Sequence, residues 1–334
     1  MKRFLKSSLI IGTALLFIAG CSSNGATKES QGSEKITLEL GHGGSLDSHL
    51  NAGAKKFIEL VEEKSDGKIT INNHPNSELG AEREMTESVQ GQLLDIAIVS
   101  TGPVGNFANK VNVLDFPFLF DDHTQAEKVL DGKVGEEISK QLEEVNLKNL
   151  YWVDNGSYHI ASNNKPIRTP KDMEGLKFRT QENQVQIDTI NALGATATPI
   201  PFSELFLSAQ QGVVDGQGNS LAVLIPNSYH EVHKYLTITN HMYSAGMILM
   251  NNEKFNSLPD DAQKILLEAA KEAGTYEREF VQKLNEEYLQ TAKDNGMTII
   301  EDADLAPFKE AVKPVYEKYQ DQYGDLFKII EEAK

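Results

Sequence analysis

From Ile36 onward the chain alternates short apolar runs with amphipathic stretches. Ile36, Leu38 and Leu40 are separated by polar residues, the period of a strand with one buried face. Leu50, Ala54, Phe57 and Val61 then recur at helical spacing until Asp66-Gly67 stops the helix, and Ile69 and Ile71 open a second strand. The unit repeats with a helix near Ala81 to Gln90, closed by Gly91, and the apolar strand Asp95-Ile-Ala-Ile-Val99. Another set of units follows Trp152: a strand at Leu176 to Phe178, a helix from Gln184 to Leu193, and a helix from Ser203 to Gln210 ended by Gly212, with Ser203 as its N-cap. Asp260 to Asn295 reads as one proline-free helix, about 50 Å long at 1.5 Å per residue and able to brace two domains. This alternation predicts α/β domains with mainly parallel sheets, in which ligands bind at the loops beyond the strand ends.

The first 34 residues follow a different pattern. Lys2, Arg3 and Lys6 precede the apolar run Leu9 to Ile18, the arrangement of an export signal. The run is about ten residues, half of the roughly 20 that a membrane-spanning helix needs. Ile18-Ala19-Gly20-Cys21 resembles the lipobox of bacterial lipoproteins, which implies a diacylglycerol on Cys21 and a mature chain starting there. Residues 22–34 contain no large apolar side chain and are expected to be a solvated tether.

Charge narrows the function classes. The chain carries 49 acidic against 32 basic residues, a net charge of −17, and loss of residues 1–20 makes it about −20. Such a chain repels nucleic-acid phosphates and anionic lipid surfaces. Cys21 is the single cysteine, so no disulfide staples the fold, and roughly 300 residues held by burial alone suit two domains. Enzyme signatures are missing: there is no G-x-S-x-G elbow and no G-x-x-x-x-G-K phosphate loop. His230-Glu231-Val232-His233 is one residue short of H-E-x-x-H, so it reads as an exposed helix end and not as a metal site. The acidic pairs Asp121-Asp122 and Glu143-Glu144 read as solvated faces.

Two segments contain more than helix and strand building requires: Pro166-Ile-Arg-Thr-Pro-Lys-Asp-Met-Glu-Gly-Leu-Lys-Phe-Arg179, and Thr198-Pro-Ile-Pro-Phe202 running on to Gly212-Val-Val-Asp-Gly-Gln-Gly-Asn219. There the sequence resembles the DctP-type substrate-binding proteins of TRAP (tripartite ATP-independent periplasmic) transporters. Their pattern is a proline turn, Asp-x-x-G-x-K-x-R, a Pro-x-P-F-x-E helix and G-V-V-D-G-Q-x-N. The resemblance runs from about Ile36 to the C-terminal helix and includes Phe116-Pro-Phe-Leu-Phe120, Glu231 to Leu236 and Thr239-Asn-His241.

The resemblance implies an α/β, two-domain periplasmic-binding-protein-like fold with a cleft between domains and a long C-terminal bracing helix. Residues 35–156 plus about 243–284 would form domain I, and 157–242 plus about 285–334 domain II. It also implies a binding protein that needs no cofactor, captures a small organic acid and passes it to TRAP membrane subunits. Arg179, ending a strand, can grip a carboxylate through two parallel hydrogen bonds, the competing reading being a surface ion pair. Asn219 would donate to the same carboxylate, or serve as a turn residue. Phe202 would lie on the ligand carbons or in the core, and His241 near the cleft or buried on backbone partners. Many members carry an arginine after Asn-Gly-x, whereas Asn155-Gly156-Ser157 is followed here by Tyr158. With one cation missing, a hydroxylated monocarboxylate such as a sugar acid is expected over a C4-dicarboxylate, because an unpaired buried charge costs several kcal/mol. His42, Glu82 or Ser100 would bond its hydroxyls. Gly218 and Ser220 stand where Glu/Gln and proline are common. A ligand-binding sensor and a secreted sugar-acid enzyme are the competing classes. The lipid on Cys21 would hold the protein at the outer face of a Gram-positive type cytoplasmic membrane, or in the periplasm of a Gram-negative cell.

Overall fold

A computed structural model describes residues 35–333; the expected export signal, the lipid site Cys21 and the tether lie outside the described residues. The described strands are β1 (Ile36–His42), β2 (Ile69–His74), β3 (Ile96–Ser100), β4 (Leu147–Ser162), β5 (Lys177–Thr180), β6 (Thr196–Pro199), β7 (Gly216–Asn219), β8 (Tyr235–Asn251) and β9 (Thr298–Ile300). They join one sheet in the order β2-β1-β3-β8-β4-β7-β5-β6, with β9 beside β8.

Most strand pairings are parallel, as expected, but the sheet has an antiparallel centre that was not. Two parallel wings exist: β1 pairs with β2 and β3 on one side, and β5 pairs with β6 and β7 on the other. Between them β4 and β8 run antiparallel to each other and to their wing neighbours β7 and β3. These central strands are 16 and 17 residues long and buried along most of their length. Burial on both faces erases the apolar-polar alternation that marks a strand in sequence.

The helices sit close to their predicted places: His49–Lys64, Glu82–Gln90, Gln184–Ala192, Phe202–Gln210 and Asp260–Asp294. Local chemistry sets their starts. Ser48 accepts the Asn51 N–H and Asn183 the Gln186 N–H, each satisfying a donor of a first helical turn. Ser203 is not the cap of its helix. Pro201, with extended backbone, precedes the first helical residue, Phe202, and Ser203 falls inside the first turn.

The 35-residue helix Asp260–Asp294 begins with two aspartates, which suit the positive end of its dipole, and is followed by Gly296 at φ 85°. Leu266, Ala269 and Ala273 share a core with Leu38, Phe57 and Ile248 beneath the first wing. Ala292, two residues before the helix's end, packs with Leu205, Val214 and Tyr229 beneath the second. One rigid rod thus contributes to both cores, as a brace does. No helix among the described residues is long and apolar enough to cross a membrane.

The helix lies tightly on β4. A Cβ at Gly274 would meet the Tyr151 ring and come within 2.8 Å of the Trp152 carbonyl oxygen. Glycine here costs about 1 kcal/mol of helix stability relative to alanine, and the close approach explains why it is present. Gly274→Val should therefore destabilise the fold by about 1–3 kcal/mol through overpacking, seen as a lower urea midpoint. An unchanged midpoint would show that the helix does not need this approach.

Candidate ligand cleft

The carboxyl ends of β1, β3, β5 and β7 converge on one cleft, where ligands bind in open α/β sheets. Gly43 and Gly44 follow β1, Ser100 ends β3, Arg179 lies near the end of β5, and Asn219 ends β7. Asn155 and Tyr158 enter from the middle of β4, where the register with β8 slips between Asp154 and Ser157. Gly156, at φ 86°, takes the slip, and its missing side chain lets Ser220 approach; the Ser220 hydroxyl donates to the Asn155 carbonyl.

Arg179 is the strongest feature of this wall. It is 3% exposed, and its Nε donates to the Ile200 carbonyl at 2.8 Å. That bond fixes the inner edge of the guanidinium and leaves the terminal nitrogens for whatever enters. Burial pulls its proton affinity down, opposed by the fields of Tyr158, Tyr229 and Glu82, yet a guanidinium keeps its charge. Among the described residues Arg83, Arg168 and Arg278 each have a carboxylate partner, and Arg179 has none. The surface ion pair is thereby replaced by a buried cation facing a cleft.

The sides of the cleft differ in charge. Asn219 is buried; its Oδ1 accepts the Ser220 N–H and its Nδ2 donates to Gln217 Oε1 at 3.2 Å. Tyr158 presents a neutral hydroxyl, its pKa pushed up to about 12, chiefly by burial. Opposite stands a carboxylate: Glu82 accepts from the Ser100 N–H and the Ser100 hydroxyl at 2.7–2.8 Å. Gln181 Nε2 donates to the Ser100 hydroxyl oxygen at 2.7 Å. Phe202 lies on the cleft with its ring tilted against Tyr229 at 6.1 Å.

Of the eight expected ligand-binding residues, the structure gathers Glu82, Ser100, Tyr158, Arg179, Phe202 and Asn219 on this cleft. The other two lie off its surface. His42 is buried at the end of β1 with its Nδ1 accepting the Gly44 N–H, so it shapes the glycine turn. His241 lines a smaller cavity behind Tyr158 and Arg179, and its Nδ1 meets the Thr239 hydroxyl at 2.7 Å instead of a backbone group.

Three wall residues escaped the sequence reading. His49 bridges the cleft, one ring nitrogen 3.2 Å from the Ala222 carbonyl and the other 3.2 Å from Asn155 Oδ1. Asn155 stands in the Asn-Gly-Ser segment already noted for Tyr158, and Gln181 lies two residues after Arg179, so proximity to the motifs was their only signal. His233 also departs from expectation: it is buried, not part of an exposed helix end. Among the described residues no group of three or more His, Cys, Asp or Glu side chains is placed to hold a metal.

The profile of the family described as bacterial extracellular solute-binding protein, family 7 (DctP), matches residues 40–322. The 2,3-diketo-L-gulonate-binding periplasmic protein of Escherichia coli is 31% identical over 326 residues, which are 96% of this chain and 98% of that one. The C4-dicarboxylate-binding periplasmic protein of Rhodobacter capsulatus is 32% identical over 297 residues, 87% of this chain and 88% of the other. A crystal structure of a TRAP periplasmic solute-binding protein from a Polaromonas species, bound to D-erythronate, superposes with a TM-score of 0.87 at 34% identity, covering 90% of this chain and 98% of that one.

Behind Gln181 lies a buried acid. Gln186 Nε2 donates to Gln181 Oε1 at 2.8 Å and to Asp115 Oδ1 at 3.2 Å, and Asp115 also accepts from Thr101 and Asn183. Burial raises the Asp115 pKa from 3.8 to about 7, outweighing these donors. The folded chain then holds a proton that the unfolded chain releases near pH 4, so this group's stabilising contribution is lost as pH rises from about 4 to about 7. The buried imidazoles of His42 and His241, held near 4 by burial, act oppositely and add stability as pH rises towards 6.5. Asp115→Asn should therefore gain stability relative to the parent as pH rises from about 4 to about 7. Urea unfolding at both ends of that window measures it, and a constant difference would refute the assignment.

Proposed function

Because the chain belongs to the bacterial extracellular solute-binding proteins of family 7, the DctP type of TRAP transporters, we propose that its cleft captures a hydroxylated monocarboxylate, such as a sugar acid, for delivery to TRAP membrane subunits. The observation that carries this reading is Arg179, buried on the cleft with no carboxylate partner among the described residues. A buried cation without a counter-charge costs several kcal/mol, and an incoming carboxylate removes that cost. Asn219, two residues along β7 from Gln217, the register partner of Arg179, adds a donor to the same anion.

The rest of the wall selects against a second anion. Tyr158 offers a neutral hydroxyl, and Glu82 offers a carboxylate to which a ligand hydroxyl donates well and a ligand carboxylate does not. The relatives include proteins named for binding 2,3-diketo-L-gulonate and C4-dicarboxylates and a structure that holds D-erythronate. The neutral Tyr158 and anionic Glu82 favour the hydroxylated class. These relatives and neighbours are binding proteins, and the cleft is read the same way, as a trap without turnover.

Capture is by closure of two lobes, residues 35–156 with about 243–284 and residues 157–242 with about 285–334, about the long strands β4 and β8. Cys21 carries the lipid that keeps the trap beside its transporter, with residues 22–34 as the tether. Mass spectrometry of the membrane fraction tests that anchor.

A thermal-shift screen over uronates, aldonates, dicarboxylates and keto acids should give its largest stabilisation with a hydroxylated monocarboxylate. Arg179→Ala should weaken that ligand by about thirtyfold to several thousandfold, the roughly 2–5 kcal/mol of breaking one side of a buried charged pair. Glu82→Gln should narrow the preference over succinate. Equal binding by Arg179→Ala, or a parent protein that answers only to dicarboxylates, would sink the reading; turnover of the bound acid would make the protein an enzyme.

A further inference from the structure

We propose that His233 and Gln217 are positioning residues that fix the Asn219 side-chain amide with its NH2 group towards the ligand. The inference rests on the reading above, in which Asn219 holds a carboxylate. A carboxylate only accepts hydrogen bonds, so an asparagine helps it through its nitrogen and opposes it through its oxygen. The two ends of the amide differ little in shape, and a rotation of half a turn converts one into the other. Something must therefore decide the orientation.

The structure holds a chain of buried groups that does so. Asn219 Oδ1 accepts the Ser220 N–H at 3.1 Å, and Asn219 Nδ2 donates one of its two hydrogens to Gln217 Oε1 at 3.2 Å. Gln217 is 0% exposed, and in the sheet it is the register partner of Arg179 on β5 and Ala161 on β4. Since its oxygen accepts from Asn219, its nitrogen faces His233 Nε2 at 2.8 Å and donates there. His233 must then carry its proton on Nδ1, and this nitrogen lies in hydrogen-bond contact with Asn163 Oδ1. The imidazole is 1% exposed and stacked on Tyr229, with ring centres 6.0 Å apart and planes 11° from parallel.

The sense of donation is the same at each link. A proton on His233 Nε2 would make that nitrogen a donor, turn the Gln217 oxygen towards the ring and leave the Gln217 NH2 facing Asn219. The Asn219 amide would have to turn its oxygen to meet it, losing the Ser220 bond and presenting the wrong group to an acid. The tautomer of one histidine thus sets the polarity of a contact at the ligand. Burial holds the His233 pKa down near 4, so the ring keeps a lone pair for Gln217 at neutral pH.

Two measurements test the relay. Long-range proton–nitrogen correlation spectra of the ligand-free, nitrogen-15-labelled chain should show His233 neutral with its proton on Nδ1; a proton on Nε2 overturns the proposal whatever the variants do. Binding is then read from thermal shifts and titrations with D-erythronate and D-glucuronate. His233→Phe keeps a ring against Tyr229 but removes the acceptor, and should weaken binding by about tenfold, the worth of one charge-assisted hydrogen bond. His233→Gln loses the stacking but restores an acceptor, and should recover most of the affinity. A merely structural histidine predicts the reverse order, with phenylalanine tolerated and glutamine harmful, and that order refutes the relay. Asn219→Ala separates the two levels: if it binds as the parent does, or if the parent answers no hydroxylated monocarboxylate, the reading of the cleft fails, whereas weakened binding with an Nε2–H tautomer fails the relay alone.

Discussion

A guanidinium buried without a counter-ion is an expensive object, and the arrangement around Arg179 follows from how that expense is contained. The Ile200 carbonyl takes its Nε, while the Glu82 carboxylate supplies nearby negative potential that keeps the charge tolerable. Glu82 could have closed an ion pair, but its oxygens are committed to the Ser100 N–H and hydroxyl. The cation is therefore held in place and left unneutralised. A site in that state has a large reserve of favourable energy for an anion, because ligand binding removes a penalty as well as adding hydrogen bonds.

Such an arrangement demands a stiff frame, and the sheet supplies it in an uncommon way. The two parallel wings each bring strand ends and helix starts to one place, as open α/β sheets do. The antiparallel pair β4 and β8 joins the wings into one sheet, so Ser100 at the end of β3 and Asn219 at the end of β7 become opposite walls of the same cleft. The slip at Asp154 to Ser157 opens the centre of β4 enough for Asn155 and Tyr158 to face inward. The helix Asp260–Asp294 then ties both cores together.

Legibility in the sequence followed physical locality. The amphipathic helices and short wing strands were readable because each has one solvated face, and the end of helix His49–Lys64 was marked by the Asp66-Gly67 turn. The strands β4 and β8 were not readable, since burial on both faces removes their period, and with them went the antiparallel centre. Six of the wall residues came from the family resemblance or from loops of the first wing. His49 was invisible because its partners, Asn155 and Ala222, lie more than 100 residues away, and His233 was misplaced because its partners Gln217 and Asn163 come from two other strand ends. A hydrogen-bond relay between distant strands leaves no spacing to detect.

The remaining question is why an acid-binding cleft in a chain of net charge −17 should carry a carboxylate of its own. Coulomb's law gives the answer in magnitudes. Two like charges about 4 Å apart repel by roughly 4 kcal/mol at an effective dielectric constant of 20. A hydroxyl donating to the same carboxylate gains about 1.5–3 kcal/mol. In the proposed reading Glu82 thus separates a hydroxyl from a carboxylate at the far end of a ligand by several kcal/mol, while Arg179 holds the near end of both equally. Attraction and rejection in that proposal fall to different walls, the cation deciding that an acid binds and the anion which kind of acid it is.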